Sequence, residues 1–359
     1  MSELHYTAGQ PPDYLVSADG LAFARLCPLR PGFRLRTAPV GARLSRFAFL
    51  RRDGGQLVVE SPVVGARVEV MVEDRPDLLW RLLGEAGFLE SPAENEPAAE
   101  FWEFHDAMFH ERSRLGAARS TGATWRFSER SDWRPAVKAP MSNAPIALER
   151  PIDFDADAPF QQVLDRRRSL RTPGAQPLTL AQLGQFLHRS VAIRARWEEG
   201  SQELLMRPYP SGGAIHELEY YLAVRDCGGL APGFYHYHAL EHALHPLPAD
   251  AEQVRAMIAT AQVSWGSKYP EPQIFFTLAT RLPRLAWKYE SMAYRIVLIN
   301  AGAAIQTMYL AATAMGLAPC AVGNGDPALF AAMTGLDPME ETSVAEFALS
   351  SAGVESEEG

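Results

Sequence analysis

Hydrophobic and polar positions along the chain change period several times, and each period marks out an element. Arg46 to Arg51 and Gln56 to Glu60 are short apolar runs that read as strands around the turn Asp53-Gly54-Gly55, and Arg67 to Val72 alternates like a third. Leu78, Leu79, Leu82 and Leu83 then repeat at helical spacing up to Gly87, a residue suited to ending a helix. A second helical pattern, FWEFHDAMFHERSRLG, begins at Phe101. Strands with a short leucine-rich helix predict a small winged-helix-like α/β module over residues 1–115. Over 116–150 the periodicity gives way to Gly, Ser and Pro with few apolar runs, the composition of a linker. From 151 to 359 the pattern predicts helices near Phe160 to Arg168 and over Leu180 to Leu187. It then predicts a strand pair, Leu218 to Arg225 and Gly233 to His238, joined by CGGLAPG. Gln273 to Thr280 reads as a central buried strand, Leu285 to Gly316 as a long helical stretch and Ser343 to Leu349 as a final strand. Helices around a mainly antiparallel sheet make an α+β domain.

The run Ile296 to Val322 is apolar over a length that could span a bilayer. It is rich in Ala and Gly, contains Pro319 and lacks flanking aromatic belts, so it reads as a core helix or a subunit interface. The rest of the composition agrees with a cytoplasmic globular protein: 47% hydrophobic and 21% charged residues, with no secretory signal at the start. A net charge of -9 disfavours the basic surface that nucleic-acid backbones require. Cys27, Cys227 and Cys320 are odd in number and far apart, and read as reduced thiols. Basic residues are nearly all arginine, the only lysines being Lys138, Lys268 and Lys288. Genome composition explains most of that bias, yet lysine alone of the two can lose its proton in a protein.

Several groups could carry chemistry. Lys288 and Tyr289 lie three and four residues from both Leu285 and Met292, which places them on the apolar stripe of the long helix, where a lysine is desolvated and can act as a general base. The same spacing fits a lysine that snorkels to solvent along its stem. Arg166-Arg167-Arg168-Ser169-Leu170-Arg171 at a helix end suits a phosphate clamp, or simply cations favoured at a helix C-terminus. Pro210-Ser211-Gly212-Gly213 would let backbone approach a flat ligand, or is a plain loop. Gly323-Asn324-Gly325-Asp326 lacks the context of a dinucleotide fingerprint. His236, His238, His242 and His245 invite a metal, but only Glu241 could complete a ligand set, and an ordinary strand fits as well. We assign no metal.

In order along the chain, R-R-S-x-R, R-P-Y-P-S-G-G-A-x-x-x-x-E, F-Y-H-Y, K-Y-x-x-x-x-Y-R, A-G-x-x-x-Q and V-G-x-x-D resemble the flavin-dependent azoline dehydrogenases. These are nitroreductase-superfamily oxidases of microcin- and streptolysin-type peptide biosynthesis. The resemblance covers about 160 to 350, and WEFHDAMFHERSRLG extends it upstream. It implies a nitroreductase-like FMN fold in a homodimer with FMN at the subunit interface. Arg167, Arg168, Ser169 and Arg171 match the motif on the flavin and its phosphate. Pro210, Ser211, Gly212 and Gly213 match the loop that reaches the flavin from the partner subunit, and Gln306 and Gly323 fall in the later cofactor motifs. Lys288 and Tyr289 match the catalytic Lys-Tyr pair, with Lys268 as a reserve flavin contact. The sequence departs from the pattern at His216 and Glu217, where the family has tyrosine and proline, and in the tail FALSSAGVESEEG, which lacks a basic residue.

The activity implied is oxidation of peptide thiazoline or oxazoline rings to thiazole or oxazole. The N-terminal module would then serve peptide or partner binding, and a cyclodehydratase or carrier protein would be a partner. The alternatives are an NAD(P)H-dependent nitroreductase or flavin reductase acting on small molecules, and a flavin-free scaffold subunit of a peptide-modifying complex.

Overall fold

The computed structural model describes residues 3–8, 13–29, 33–39, 41–91, 97–114, 121–130, 135–150 and 157–353. The last six residues of the tail noted above therefore lie outside it. The chain forms two compact units, Met1–Thr124 with Glu290–Met292, and Trp125–Tyr289 with Ala293–Gly359.

The first unit is built on a six-stranded antiparallel sheet. Its strands are β1 (His5–Ala8), β2 (Tyr14–Ala18), β3 (Leu21–Pro28), β4 (Phe49–Asp53), β5 (Gln56–Glu60) and β6 (Ala66–Val70), in spatial order β1-β2-β3-β6-β5-β4. The Asp53-Gly54-Gly55 turn closes β4 on β5 with Asp53 opposite Gln56. Helix α1 (Pro76–Ala86) starts on a proline and ends at Gly87, whose φ of 89° only glycine adopts freely. Its Leu78, Leu82 and Leu83 pack with Val59, Val68 and Val70 of the sheet. Helix α2 (Phe104–Arg112) follows. The three N-terminal strands carry no clean alternation, which is why the pattern did not disclose them.

The second unit is a three-layer sandwich. Its sheet contains β7 (Ile146–Ala147), β10 (Leu218–Val224), β11 (Gly233–His238), β12 (Ala243–Leu247), β13 (Ile274–Thr280), β14 (Leu317–Val322) and β15 (Thr342–Ser351); a separate hairpin joins β8 (Ala195–Glu199) to β9 (Gln202–Met206). Spatial order in the sheet is β7-β12-β11-β10-β13-β15-β14, antiparallel throughout. The central strands β10 and β13 are buried at every position because helices cover both faces. On one face, Phe276 and Phe347 meet Phe186 of α4 (Leu180–Ser190) and Tyr309 of α7 (Ala293–Ala314). On the other, Tyr221, Ala223 and Phe275 pack under α5 (Ala251–Ser264) and α8 (Pro327–Thr334). Side chains of the central strands alternate between these two layers, as the two-residue repeat of a strand demands. Capping boxes at Thr179–Gln182 and Asp250–Gln253 begin α4 and α5.

Two expectations need correction. The linker expected over 116–150 does not extend that far: from Trp125 its described residues cluster with the second unit, and Ile146–Ala147 pairs with Ala243–Leu244 as an edge strand. Backbone hydrogen bonds dock this Pro-rich stretch, and they leave no mark in side-chain periodicity. The long helix is also broken. A short α6 (Leu282–Ala286) ends before Lys288, and α7 begins only at Ala293. Between them Ser291 has φ 59°, which no helix contains. The apolar run then divides again at Gly316, after which Leu317–Val322 is strand. Helix α7 is long and apolar enough to cross a membrane by composition, and half of that window is buried.

Candidate active site

Because α6 stops short, Lys288 and Tyr289 do not share a helical stripe with Leu285 and Met292; they sit in the turn between two helices. What holds them there is tertiary. The Lys288 Nζ donates to Gln202 Oε1 at the start of β9 (3.1 Å) and lies 4.6 Å from the centre of the Trp125 ring and 5.5 Å from that of Tyr289. Trp125 is itself unusual: a bulky residue at φ 56°, its backbone N–H donating to the Lys288 carbonyl (3.1 Å), its ring edge-on to Trp287. Strain of this kind costs on the order of 1–3 kcal/mol and concentrates at functional sites. Burial pushes the Tyr289 phenol above its ordinary range.

The glycine turn comes to the same place. Gly213 has φ 63°, and a Cβ added to it would stand 2.7 Å from the Tyr289 hydroxyl and 3.1 Å from Lys288 Nζ. A Cβ on Gly212 would meet Ile296 of α7 at 2.5 Å. Only glycine at both positions lets this backbone close on the Lys-Tyr pair.

Beneath the turn is a buried polar cluster. Asn300 of α7 accepts from Gly212 N–H (3.1 Å) and donates to Ser211 Oγ (3.1 Å) and to Glu217 Oε1 (2.9 Å), while His216 N–H donates to Ser211 Oγ (3.0 Å). Burial raises the Glu217 carboxyl pKa. It also drives the His216 imidazole down to about 3, so that ring is neutral, and it packs edge-on to Tyr209. The two residues that depart from the family pattern, His216 and Glu217, therefore brace the loop from below.

The arginine motif follows α3 (Phe160–Arg166) and meets α7 further along, at Tyr309. Ser169 Oγ is 2.7 Å from the Tyr309 hydroxyl, which also accepts from Ala321 N–H (2.7 Å). The Arg167 guanidinium lies over the Tyr309 ring (5.4 Å) and that of Arg171 over Tyr269 (5.5 Å). Among the described residues neither guanidinium has a carboxylate partner, so both remain available to an anion such as a phosphate. Arg168 is exposed. Lys268, also exposed, belongs with this cluster through its neighbour Tyr269 and not with Lys288. From Asn300 to Tyr309 the helix rises about 14 Å. One chain thus brings Lys288, Tyr289 and residues 210–213 together and holds Arg167, Ser169 and Arg171 apart from them. Gln306 and Gly323 are exposed, on α7 and just after β14, and no hydrogen bond ties them to either group among the described residues.

The four histidines from 236 to 245 are all engaged. His236 Nε2 pairs with Glu219 (3.1 Å), which also binds Arg281; His242 bridges the Tyr237 hydroxyl and the Glu149 carbonyl; His238 meets the Lys138 carbonyl and His245 the Ser142 carbonyl. Among the described residues no group of three or more potential ligands converges on a metal position.

Residue patterns missed Trp125, Gln202 and Asn300. The Gly200-Ser201 turn marks the hairpin that carries Gln202, whereas nothing local marks the other two.

The nitroreductase family profile matches residues 164–348, which contain most of the second unit and every side chain named above except Trp125 and those of the histidine contacts near 138–149. The chain belongs to the nitroreductase family. The second unit is accordingly an oxidoreductase fold. A separate profile, that of the cyanobactin oxidase ThcOx, matches residues 42–90 in the first unit. A Methanocaldococcus jannaschii protein named as a nitroreductase is 28% identical over 164 residues, 46% of this chain and 78% of its own. The trifolitoxin-processing protein TfxB of Rhizobium leguminosarum bv. trifolii is 27% identical over 147 residues, 40% of this chain but only 39% of its own length. A crystal structure named as a nitroreductase from Ralstonia eutropha superposes with a TM-score of 0.47 at 20% identity, covering 62% of this chain and 95% of its own.

Proposed function

We propose that the chain is an FMN-dependent dehydrogenase that oxidises thiazoline or oxazoline rings in a peptide to thiazole or oxazole, working as a homodimer. The observation that carries this reading is the closure of the Gly212-Gly213 turn on Lys288 and Tyr289, with the amine held by Gln202 and Trp125. A base held this firmly beside a side-chain-free backbone suits a flat ring that must lose a proton at a defined carbon. Bound FMN would accept the hydride from the neighbouring ring carbon. Lys288 would take the proton, with Tyr289 beside it; the azole stays neutral because it loses one hydride and one proton, and the positive charge gained by the amine offsets the negative charge that leaves with the hydride. The profile match to a cyanobactin oxidase and the likeness to a trifolitoxin-processing protein support a peptide substrate.

The separation of the two clusters along α7 supports the dimer. So does the outer side of that helix, where Ile299 is 59% exposed and Leu298 and Tyr294 are each 41% exposed. In a two-fold pair one copy supplies arginines for the phosphate and its partner supplies the Lys-Tyr edge. A modifying partner such as a cyclodehydratase fits the same peptide chemistry.

The test is direct. The purified protein should be yellow or become so with FMN, and Lys288→Ala should retain the flavin while losing turnover of a thiazoline peptide at least 10²-fold. Full activity in that variant refutes the assignment. Rapid bleaching by NAD(P)H with reduction of small nitroaromatics, and no azoline oxidation, would instead support the small-molecule reading suggested by the M. jannaschii relative. A protein that stays colourless in FMN would support the scaffold reading.

A further inference from the structure

A cavity of about 280 Å³ opens beside the Lys-Tyr pair, and none of the family motifs accounts for it. It is enclosed by the β8–β9 hairpin on one side and by α6 and its exit on the other, with Pro135, Leu204, Ile215 and Trp287 as its apolar walls. Two charged groups border it, but the chain already satisfies them. Glu203 accepts from Ala136 N–H (2.6 Å) and pairs with Arg196; the buried Arg284 donates to the Ile215 carbonyl (3.1 Å) and to the Glu203 carbonyl (2.6 Å). An occupant would therefore find little polar bonding inside and mainly hydrocarbon surface.

The mouth is different. Gln202 lines the cavity and also takes the hydrogen bond from Lys288 Nζ, so the cavity and the amine share one side chain. The Gln202 carboxamide nitrogen makes no hydrogen bond among the described residues and remains free to donate to a carbonyl. At about 280 Å³ the cavity lies just below the roughly 300–1,000 Å³ of whole small-molecule sites and has room for a branched aliphatic side chain.

We propose that this cavity is a specificity subsite for an aliphatic side chain of the substrate peptide, on a residue adjacent to the oxidised ring, with Gln202 holding that residue's carbonyl at the mouth. The inference rests on the peptide-azoline reading above and adds to it which peptides are preferred.

The test uses the full-length protein loaded with FMN and two pairs of synthetic peptides. One pair carries a thiazole and the other a thiazoline, each flanked by leucine or by alanine. Calorimetry of the thiazole pair reports binding without turnover; the thiazoline pair reports oxidation. Burying three further carbons predicts a preference for leucine of about 60-fold in Kd. Leu204→Trp, which pushes a bulky ring into the cavity, should reduce the preference to about threefold or less, and Leu204→Phe should reduce it to a smaller degree. Ser201→Trp on the exposed hairpin turn should do the same should Leu204→Trp fail to fold. Equal binding of both thiazole peptides by the wild type, or a preference that survives Leu204→Trp and Ser201→Trp, overturns the subsite even where both thiazolines are oxidised. A leucine preference that the variants abolish, without oxidation of either thiazoline, upholds the subsite as a peptide site and removes the azoline reading instead.

Discussion

Gly213→Ala separates a positioning role for the glycine turn from a merely structural one. The backbone there has φ 63°, where an alanine costs about 1–2 kcal/mol relative to glycine. The new methyl carbon would stand 2.7 Å from the Tyr289 hydroxyl and 3.1 Å from Lys288 Nζ, against an ordinary contact distance that begins at 3.4 Å. The hydroxyl must therefore retreat by about 0.7 Å and the amine by about 0.3 Å. Both are the free ends of flexible side chains, so these shifts add little to the loss of stability. They do nudge the amine from its place between Gln202 and Trp125 and move the Tyr289 hydroxyl further, and a displacement approaching 1 Å at a reacting group, close to that of the hydroxyl, can cost about 10²-fold in rate. The expected result is a loss of 1–2 kcal/mol in urea unfolding, retained FMN, and a kcat for a thiazoline peptide lower by roughly 30- to 100-fold. Gly335→Ala is the control. It has nearly the same φ, 67°, at the end of α8, with no heavy atom within 4 Å of the added carbon, so it should lose similar stability and keep its turnover. Equal turnover in Gly213→Ala and wild type, with the flavin bound, would refute the placement of the pair against this turn.

Three further outcomes follow from the same geometry. Arg167→Ala with Arg171→Ala should raise the Kd for FMN at least 10-fold, since each lost charge-assisted bond is worth about 1.5–3 kcal/mol; a fluorescence titration with unchanged Kd would exclude the cluster as the phosphate site. Asn300→Ala should cost about 2–4 kcal/mol in chemical denaturation because it leaves Glu217 and the Gly212 N–H buried without their partner, and a loss below about 0.5 kcal/mol would contradict the cluster. Burial lifts the Glu346 carboxyl from 4.5 to about 7, so wild-type stability is highest below pH 4.5 on this account and falls as pH rises towards 7, by up to about 3 kcal/mol. Glu346→Gln should flatten that part of the stability profile, and an unaltered slope between pH 4.5 and 7 would show that this carboxyl is not the group responsible.

The fold of the second unit was legible wherever burial imposed a period. The strand pair 218–238, the central strand near 274–280 and the final strand appear close to where apolar runs placed them, because each must hide its faces between helices. The break at 287–292 was not legible: Trp-Lys-Tyr-Glu-Ser-Met contains no glycine or proline, yet the chain leaves the helix after Ala286 and turns through the positive φ of Ser291. Reading a continuous stripe through Lys288 thus gave it the wrong neighbours. Its surroundings come from Trp125, Gln202 and Tyr289, the first two far away in sequence, and no local periodicity can register a contact across more than 80 residues. The same holds for Asn300, which reads as a lone polar residue in an apolar helix until the glycine turn is seen resting on it.

Helix α7 ties the glycine turn to Ile296 and Asn300 at one end and the arginine motif to Tyr309 further along. Two duties mounted on one stiff rod cannot be tuned separately. A substitution that tilts the rod should loosen the grip on the anion and misalign the base in a single stroke, so variants selected for tighter prosthetic-group retention will tend to change catalytic speed as well.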